Sequence, residues 1–219
     1  TNTFPAYIER NSNLLNVLRI PYFPENGVEM LSGYDAVVLA GTKEPVTFFG
    51  YEGVRGRLLT ETQPRLRIAT ARQDVVEVLE GLAEELNSPK SLKTASNRLG
   101  SRRNSSGLPS GKLTPEKACL TLAALQPEGA IIVDEGLTAS FSYYPLTADL
   151  AAHSFITIAG GSIGYGMPCA IGSAIACPER PVINLQADGS GMYTLQALWT
   201  EAREKLNITT LICSNRSYN

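Results

Sequence analysis

Apolar segments alternate with amphipathic ones through the second half of the chain. Short runs rich in Ile, Val and Leu predict buried strands, and apolar residues at helical spacing predict helices. The predicted strands are 129–134, 154–159, 182–187 and 208–214, and the predicted helices are 115–125, 140–144, 168–176 and 193–206. Strands of this kind, alternating with helices, are typical of a parallel sheet covered on both faces.

The first half of the chain repeats this pattern on a smaller scale. Residues 34–41 and 65–70 predict strands, and Asp74 is a predicted N-cap for a helix that extends to residue 86. The predicted fold class is therefore α/β, with two parallel-sheet units of three layers each.

Residues 87–113 interrupt the alternation. They are rich in Ser, Gly, Asn and Pro, carry only positive charges and show no apolar periodicity. This composition predicts that residues 88–113 form a solvated linker. The alternative is that they form a basic binding arm. The predicted domains are then 1–87 and 114–219, the second opening with Thr114 as an N-cap and a proline at the first helical position.

Composition narrows the classes of function. The chain has 43% hydrophobic residues, 18% charged residues and a net charge of −2, so we expect neither a nucleic acid nor an anionic membrane as partner. No apolar stretch reaches the roughly 18 residues of a membrane helix. Its four cysteines form no C-x-x-C pair, and we interpret them as buried thiols of a cytoplasmic protein rather than redox or metal ligands: Cys119, Cys169, Cys177 and Cys213.

Polar residues with useful chemistry follow four of the predicted strands. In an open parallel sheet, ligands bind beyond the carboxyl ends of the strands. Asp188 offers a carboxylate to Mg²⁺, Gly189 lets a phosphate approach the backbone, and Ser190 begins a helix whose first N–H groups favour an anion. Asn215 and the carbonyl of Ser217 add oxygen donors from the next strand. These residues predict a site for a metal ion that carries a diphosphate.

The segment ADGSGMYTLQALWTEAREKLNITTLICSNRSY resembles the motif of thiamine-diphosphate-dependent enzymes, and Asp188 and Asn215 lie 27 positions apart in it. The preceding GGSIGYGMPCAIGSAIACPERPV is similar to the stretch upstream of that motif in benzoylformate decarboxylase and acetolactate synthase. TFPAYIER, RIPYFPE and GTKEPVTFFGYEG are similar to the central domain of acetolactate synthase large-subunit homologues. One departure is Ala187, which stands where the motif has its first glycine.

The resemblance implies a residue set for the cofactor thiamine diphosphate and for Mg²⁺. Asp188, Asn215 and the Ser217 carbonyl would hold the metal, Ile163 would wedge the cofactor into a bent conformation, and Gly161 would accept a hydrogen bond from its aminopyrimidine. A bound FAD is possible by resemblance, but no residue supports it. The implied cofactor-binding residues are Thr138, Gly161, Ser162, Ile163, Asp188, Gly189, Ser190, Asn215 and Ser217.

The implied reaction is decarboxylation of a 2-oxo acid, followed in an acetolactate-synthase-like enzyme by carboligation. A benzoylformate-decarboxylase-like reaction is one alternative, and a non-catalytic nucleotide- or FAD-binding module is another. The family also uses a pyrimidine-binding domain from a second subunit, which implies a homodimer or homotetramer. Nothing in these 219 residues matches that domain, so the sequence predicts an inactive fragment in which 1–87 ends a central Rossmann-like domain and 114–219 is C-terminally incomplete. His153, the only histidine, is predicted to lie on a surface loop.

Overall fold

A computed structural model of the chain describes residues 1–11, 14–88, 107–148 and 150–215. The chain divides into two units. One contains Thr1–Thr3 and the segment that begins at Leu18, and the other contains Phe4–Val17 and the second half of the chain. The predicted linker, 88–113, falls largely outside the described residues, which leave out 89–106.

The described residues form seven strands and seven α-helices. The strands are β1 (Tyr7–Arg10), β2 (Val37–Ala40), β3 (Arg65–Ala69), β4 (Ile131–Glu135), β5 (His153–Thr157), β6 (Val182–Ala187) and β7 (Ile208–Cys213). The helices are α1 (Pro24–Ser32), α2 (Val75–Glu85), α3 (Pro115–Leu125), α4 (Tyr143–Leu146), α5 (Gly166–Ala176), α6 (Asp188–Gly191) and α7 (Ala197–Arg203). Two 3₁₀ turns, Leu137–Ala139 and Met192–Thr194, follow β4 and α6.

Both predicted N-caps are present. The Asp74 carboxylate accepts hydrogen bonds from the first-turn N–H groups of α2, and the Thr114 hydroxyl accepts one from Lys117 N–H at 3.3 Å. These side chains satisfy N–H groups that have no partner within the helix. The predicted helix 193–206 is shorter than expected, because the chain makes a 3₁₀ turn at Met192–Thr194 before α7 begins.

The sheet of the larger unit has the strand order β1-β5-β4-β6-β7. Four strands, β4 to β7, are parallel, which confirms the α/β class, while β1 pairs antiparallel with β5 and makes the sheet mixed. Residues 7–10 fall within the predicted domain 1–87, but the ladder of β1 with β5 brings them into the larger unit. The two paired strands are far apart in the chain, so no pattern of neighbouring residues predicts their pairing.

Helices cover both faces of this sheet. One face packs its apolar residues with α3 and α4, in a cluster built around Ile132, Tyr143 and Phe155. The other packs with α5, in a cluster that includes Val133, Ala170 and Val182. Successive strand residues point to opposite faces, so a strand buried on both must be apolar along its length.

His153 is buried, contrary to the surface loop that we predicted. It is the first residue of β5, is 1% exposed and lies opposite Arg10 in the β1–β5 ladder. Its Nδ1 is 2.8 Å from the carbonyl oxygen of Ala151. The prediction was wrong because the edge strand that covers His153 is distant in sequence.

The smaller unit has a two-stranded parallel sheet, β2 and β3, with α1 and α2. A buried cluster of Leu31, Leu58 and Leu59 forms its core. Its assignment to a central Rossmann-like domain stays a prediction. In the described part of the chain, no helix has the length and apolar character needed to cross a membrane.

Candidate functional site

The carboxyl ends of four parallel strands meet at one edge of the larger sheet. Glu135 at the end of β4 lies opposite Gln186 in β6, and Ala187 at the end of β6 lies opposite Cys213 in β7. The predicted segments 135–138, 160–164 and 188–190 follow these strand ends, as does Asn215. Ser217 lies outside the described residues.

Asp188 and Asn215 extend from neighbouring strands. Asp188, the first residue of α6, is partly buried, and its carboxylate accepts the N–H of Gly189 at 2.9 Å. Asn215 is exposed, two residues beyond the end of β7. Burial raises the pKa of the Cys213 thiol, and the charges of Asp134 and Asp188 raise it further, so both carboxylates act on the end of β7.

The donors at this edge suit a hard divalent cation. Carboxylate and amide oxygens are the ligands that Mg²⁺ takes from proteins, and it keeps few of them when phosphate oxygens complete its coordination. The described residues contain no cluster of three or more His, Cys, Asp or Glu that could hold a metal ion.

The hydroxyl of Ser190 faces inward. The residue is 2% exposed, and its Oγ donates to the carbonyl of Ala187 at 3.2 Å and accepts from Gln186 Nε2 at 2.6 Å. We predicted that Ser190 contacts the diphosphate. In this arrangement its main-chain N–H, rather than its hydroxyl, is the group available for that contact.

The glycine loop after β5 presents Gly161 and Ser162 to solvent, while Ile163 is half-buried. Gly161 has φ +70° and its N–H donates to the carbonyl of Ile158 at 3.1 Å, which makes a tight turn. Ile163 belongs to neither hydrophobic cluster of the larger unit among the described residues. Its side chain is thus not a core residue of that unit.

Thr138 is exposed on the 3₁₀ turn after β4. The preceding Leu137 has φ +50°, a left-handed conformation that costs a bulky side chain on the order of 1 kcal/mol or more. Hydrogen bonds hold the turn: Gly136 N–H donates to the Asp134 carboxylate at 3.1 Å, and Ser140 Oγ donates to the Leu137 carbonyl at 3.1 Å. Strained backbone of this kind is concentrated at functional sites.

The structure adds polar residues that were not among the predicted cofactor-binding residues. Glu135 and Gln186 are buried on neighbouring strands, and Gln186 Nε2 donates to the Glu135 carboxylate at 3.2 Å. Thr194 donates its hydroxyl to the carbonyl of Gly164 at 3.0 Å. A signal for the first two was present in the sequence, because each is an ionisable or amide side chain near the carboxyl end of a largely apolar strand. No such signal in the sequence points to Thr194.

Tyr165 ties the glycine loop to two strands. Its hydroxyl donates to the carbonyl oxygens of Asp134 at 2.8 Å and Ile156 at 3.3 Å. Burial, together with nearby Asp134, raises the pKa of the phenol far above its ordinary value of 10.0, so it remains a donor at all physiological pH values.

Known proteins are similar to this chain in sequence and in fold. Residues 140–219 match the family described as thiamine pyrophosphate enzyme, C-terminal TPP binding domain. A Mycobacterium tuberculosis protein named acetolactate synthase large subunit IlvX is 39% identical over 217 residues, which are 99% of this chain and 41% of that protein. The benzoylformate decarboxylase of Pseudomonas aeruginosa is 32% identical over 108 residues, 49% of this chain and 20% of that enzyme.

A solved structure shares the fold. The thiamine diphosphate-dependent 4-hydroxybenzoylformate decarboxylase of Rhodococcus jostii RHA1 superimposes with a TM-score of 0.69 at 26% identity, covering 91% of this chain and 39% of that one. The chain thus spans well under half the length of the relatives it matches. In sequence and fold it resembles the acetolactate synthase large-subunit homologues and benzoylformate decarboxylases of the thiamine-diphosphate-dependent enzymes, and its residues 140–219 match the C-terminal TPP binding domain of that family.

Proposed function

We propose that the strand-end edge of the larger unit binds the diphosphate of thiamine diphosphate together with Mg²⁺. The observation that carries this proposal is the placement of Asp188 and Asn215 on neighbouring strand ends, in a segment that matches a TPP binding domain. Asp188 and Asn215 supply side-chain oxygens to the metal, with the carbonyl of Ser217. Gly189 and the main chain of Ser190 face the phosphates.

The remaining residues orient the organic part of the cofactor. Gly161 offers a carbonyl to the aminopyrimidine, the half-buried side chain of Ile163 supports the bend, and Ser162 and Thr138 are exposed at the same edge. When bound, thiamine diphosphate supplies a nucleophilic carbon that attacks a 2-oxo acid and stores the electrons left when CO₂ departs. The chain supplies binding, orientation and the metal ligands.

We propose acetolactate-synthase-like chemistry for the whole protein: decarboxylation of a 2-oxo acid and transfer of the remaining fragment to a second carbonyl compound. The 39% identity to the IlvX protein across almost the entire chain supports this proposal. The 32% identity to a benzoylformate decarboxylase over residues in about half of the chain supports simple decarboxylation as the second candidate. Incubation of the protein from its complete reading frame with pyruvate and with benzoylformate separates them. Acetolactate from pyruvate would support the first, and benzaldehyde from benzoylformate the second.

The metal and diphosphate site is tested by Asp188→Ala in the same protein. We expect the affinity for thiamine diphosphate in the presence of Mg²⁺ to fall at least about 100-fold, since loss of a charged metal ligand should exceed the cost of losing its outer partners. Isothermal titration with and without Mg²⁺ measures this.

The matched control is Asp35→Ala, which removes an exposed aspartate of the smaller unit and should leave the affinity unchanged. An unchanged affinity for Asp188→Ala would overturn the assignment. Flavin absorbance in the purified protein, without bound thiamine diphosphate by mass spectrometry, would favour the alternative of a nucleotide- or FAD-binding module.

A further inference from the structure

Two side chains from separate elements hold the backbone of Gly164. Its N–H donates to the carboxylate of Glu135 at the end of β4, and its carbonyl accepts from the Thr194 hydroxyl at 3.0 Å. Gly164 is buried and has φ +92°, a conformation that residues with a side chain rarely adopt. Both polar groups of this residue are therefore paired with side chains rather than with solvent.

The Glu135 carboxylate is built into this arrangement. The residue is 1% exposed, and its second oxygen accepts the N–H of Gly166 at 2.6 Å and Gln186 Nε2 at 3.2 Å. The N–H groups of Gly164 and Gly166 and the side-chain amide of Gln186 donate to the Glu135 carboxylate. A buried carboxylate is costly unless it is hydrogen-bonded in this way. Its position at the strand end is thus tied to the loop that it binds.

Close packing restricts the loop further. A Cβ added at Gly164 would lie 2.8 Å from the Cβ of Tyr193, and one added at Gly166 would lie 2.7 Å from the Glu135 carboxylate. Real Cβ atoms do not approach other atoms this closely. The backbone at 164–166 can therefore pack against β4 and the Met192–Thr194 turn only because residues 164 and 166 are both glycine.

The peptide bond that Glu135 holds is the one that joins Ile163 to Gly164. A peptide unit is planar, so a hydrogen bond to its N–H also sets the direction of the Ile163 carbonyl and limits where the Ile163 side chain can point. We propose that Glu135 and Thr194 are positioning residues, which act through Gly164 to fix Ile163 beneath the cofactor without contacting the cofactor themselves. This inference rests on the cofactor site proposed above.

The test compares Thr194→Val and Glu135→Gln with wild type, using the protein from its complete reading frame. Thr194→Val keeps the shape of the side chain and removes its hydroxyl. Glu135→Gln replaces one carboxylate oxygen by an NH₂ group, which is a donor and cannot accept a hydrogen bond from the N–H of the loop. In the cofactor-free protein, we expect amide hydrogen exchange across residues 160–166 to accelerate about five-fold or more, the factor that corresponds to one lost buried hydrogen bond.

The second readout separates positioning from affinity. With Mg²⁺ and thiamine diphosphate bound, NMR measures the exchange of the C2 proton of the thiazolium ring. We expect both variants to slow this exchange about five-fold or more, while the affinity for the cofactor, which depends on the diphosphate end, changes by less than about three-fold. Thr194→Ser restores the hydroxyl and should restore both rates.

Thr147→Val is the matched control, because Thr147 is also buried and its hydroxyl donates to the Tyr144 carbonyl at 3.0 Å, away from the loop. The inference would be overturned if Thr147→Val changed the loop and C2 exchange rates as much as Thr194→Val. It would also be overturned if the Thr194 and Glu135 variants left both rates unchanged. A wild-type protein that binds no thiamine diphosphate would overturn the proposed function instead, and the amide exchange would still decide whether these side chains hold Gly164.

Discussion

At the scale of single residues, burial determines how the ionisable groups of the larger unit behave. Burial raises the pKa of Cys119 to about 11, so its thiol stays protonated at neutral pH. The same effect acts on His153 in the opposite direction, because its charged form is the protonated one. Desolvation lowers the pKa of His153 below its ordinary value of 6.5, and the charge of Arg10 adds to this, while the Ala151 carbonyl and Glu9 oppose it.

His153 should therefore make the protein sensitive to acid. Below pH 6.5 the unfolded chain binds a proton at this histidine before the folded chain does, so the free energy of unfolding falls as the pH drops. His153→Leu should flatten that fall, by at most about 1.4 kcal/mol per pH unit. Urea unfolding between pH 7.5 and 5.5 measures it.

The contribution is assigned by the difference between His153→Leu and wild type, because the N-terminal amine, whose pKa burial also lowers, is present in both proteins. Glu201, whose pKa burial raises above 4.5, has the opposite sign, since protonation in acid would favour its folded state. A His153→Leu variant as acid-sensitive as wild type would contradict the role of this residue.

At the scale of elements, α5 contains two glycines in contrasting surroundings. Gly166 begins the helix, where an added Cβ would lie 2.6 Å from Gln186 Oε1 and 2.7 Å from the Glu135 carboxylate. Gly172 is exposed in the middle of the helix, and an added Cβ there would have no other atom within 4 Å. One glycine is thus required by packing, and the other only lowers helix propensity.

Alanine substitutions at the two positions should have opposite effects. Gly172→Ala should stabilise the larger unit by about 0.5–1 kcal/mol, because alanine is the better helix former. Gly166→Ala should destabilise it by about 1–3 kcal/mol through overpacking. Chemical denaturation measures both in the same background. A Gly166→Ala variant as stable as wild type would show that the glycine loop adapts where the structure has it close-packed. Destabilisation by Gly172→Ala would contradict the expected gain in helix propensity.

At the scale of the whole molecule, the proposed diphosphate and metal site and a group of exposed apolar side chains lie on the same unit. The segments with metal and phosphate chemistry lie at one edge of its sheet. Beside them, the 3₁₀ turn and α7 leave large apolar side chains exposed, with Met192 at 67%, Tyr193 at 61% and Trp199 at 63%. Exposed apolar groups of this size, close together along the chain, are typical of surfaces that contact another protein or domain.

These 219 residues by themselves should not turn over pyruvate. By the resemblance, the carboxylate that activates the aminopyrimidine belongs to a pyrimidine-binding domain, and the chain spans only 41% of its IlvX relative. With thiamine diphosphate, Mg²⁺ and pyruvate, we expect CO₂ release equal to that of a protein-free control. Release above the control would show that the required carboxylate lies within this sequence.

The exposed apolar side chains also predict self-association of the chain. The isolated chain should associate, which analytical ultracentrifugation detects as a sedimentation coefficient that rises with concentration. A single monomeric species at every concentration would contradict this.

The sequence by itself determined those elements that depend on residues adjacent in the chain. The N-caps Asp74 and Thr114 and the strand Val182–Ala187 were predicted at the positions that the structure shows, since caps and largely apolar strands depend on adjacent residues. The cofactor family was also recognisable, because its motif is contiguous in sequence. The order of the strands also implied that the candidate segments share one edge, since parallel strands end together.

Only the tertiary structure decided which polar side chains face the site and which face the interior. The buried His153 and the hydrogen bonds of Glu135 and Thr194 to Gly164 depend on partners from elements distant in the chain. The Ser190 hydroxyl turns inward to Gln186 and Ala187, which are near in sequence but are placed by the packing of the strand that precedes it. The antiparallel β1 joined the larger sheet for the same reason. Hydrogen bonds and burial of this kind depend on distances in space, and no pattern of neighbouring residues records them.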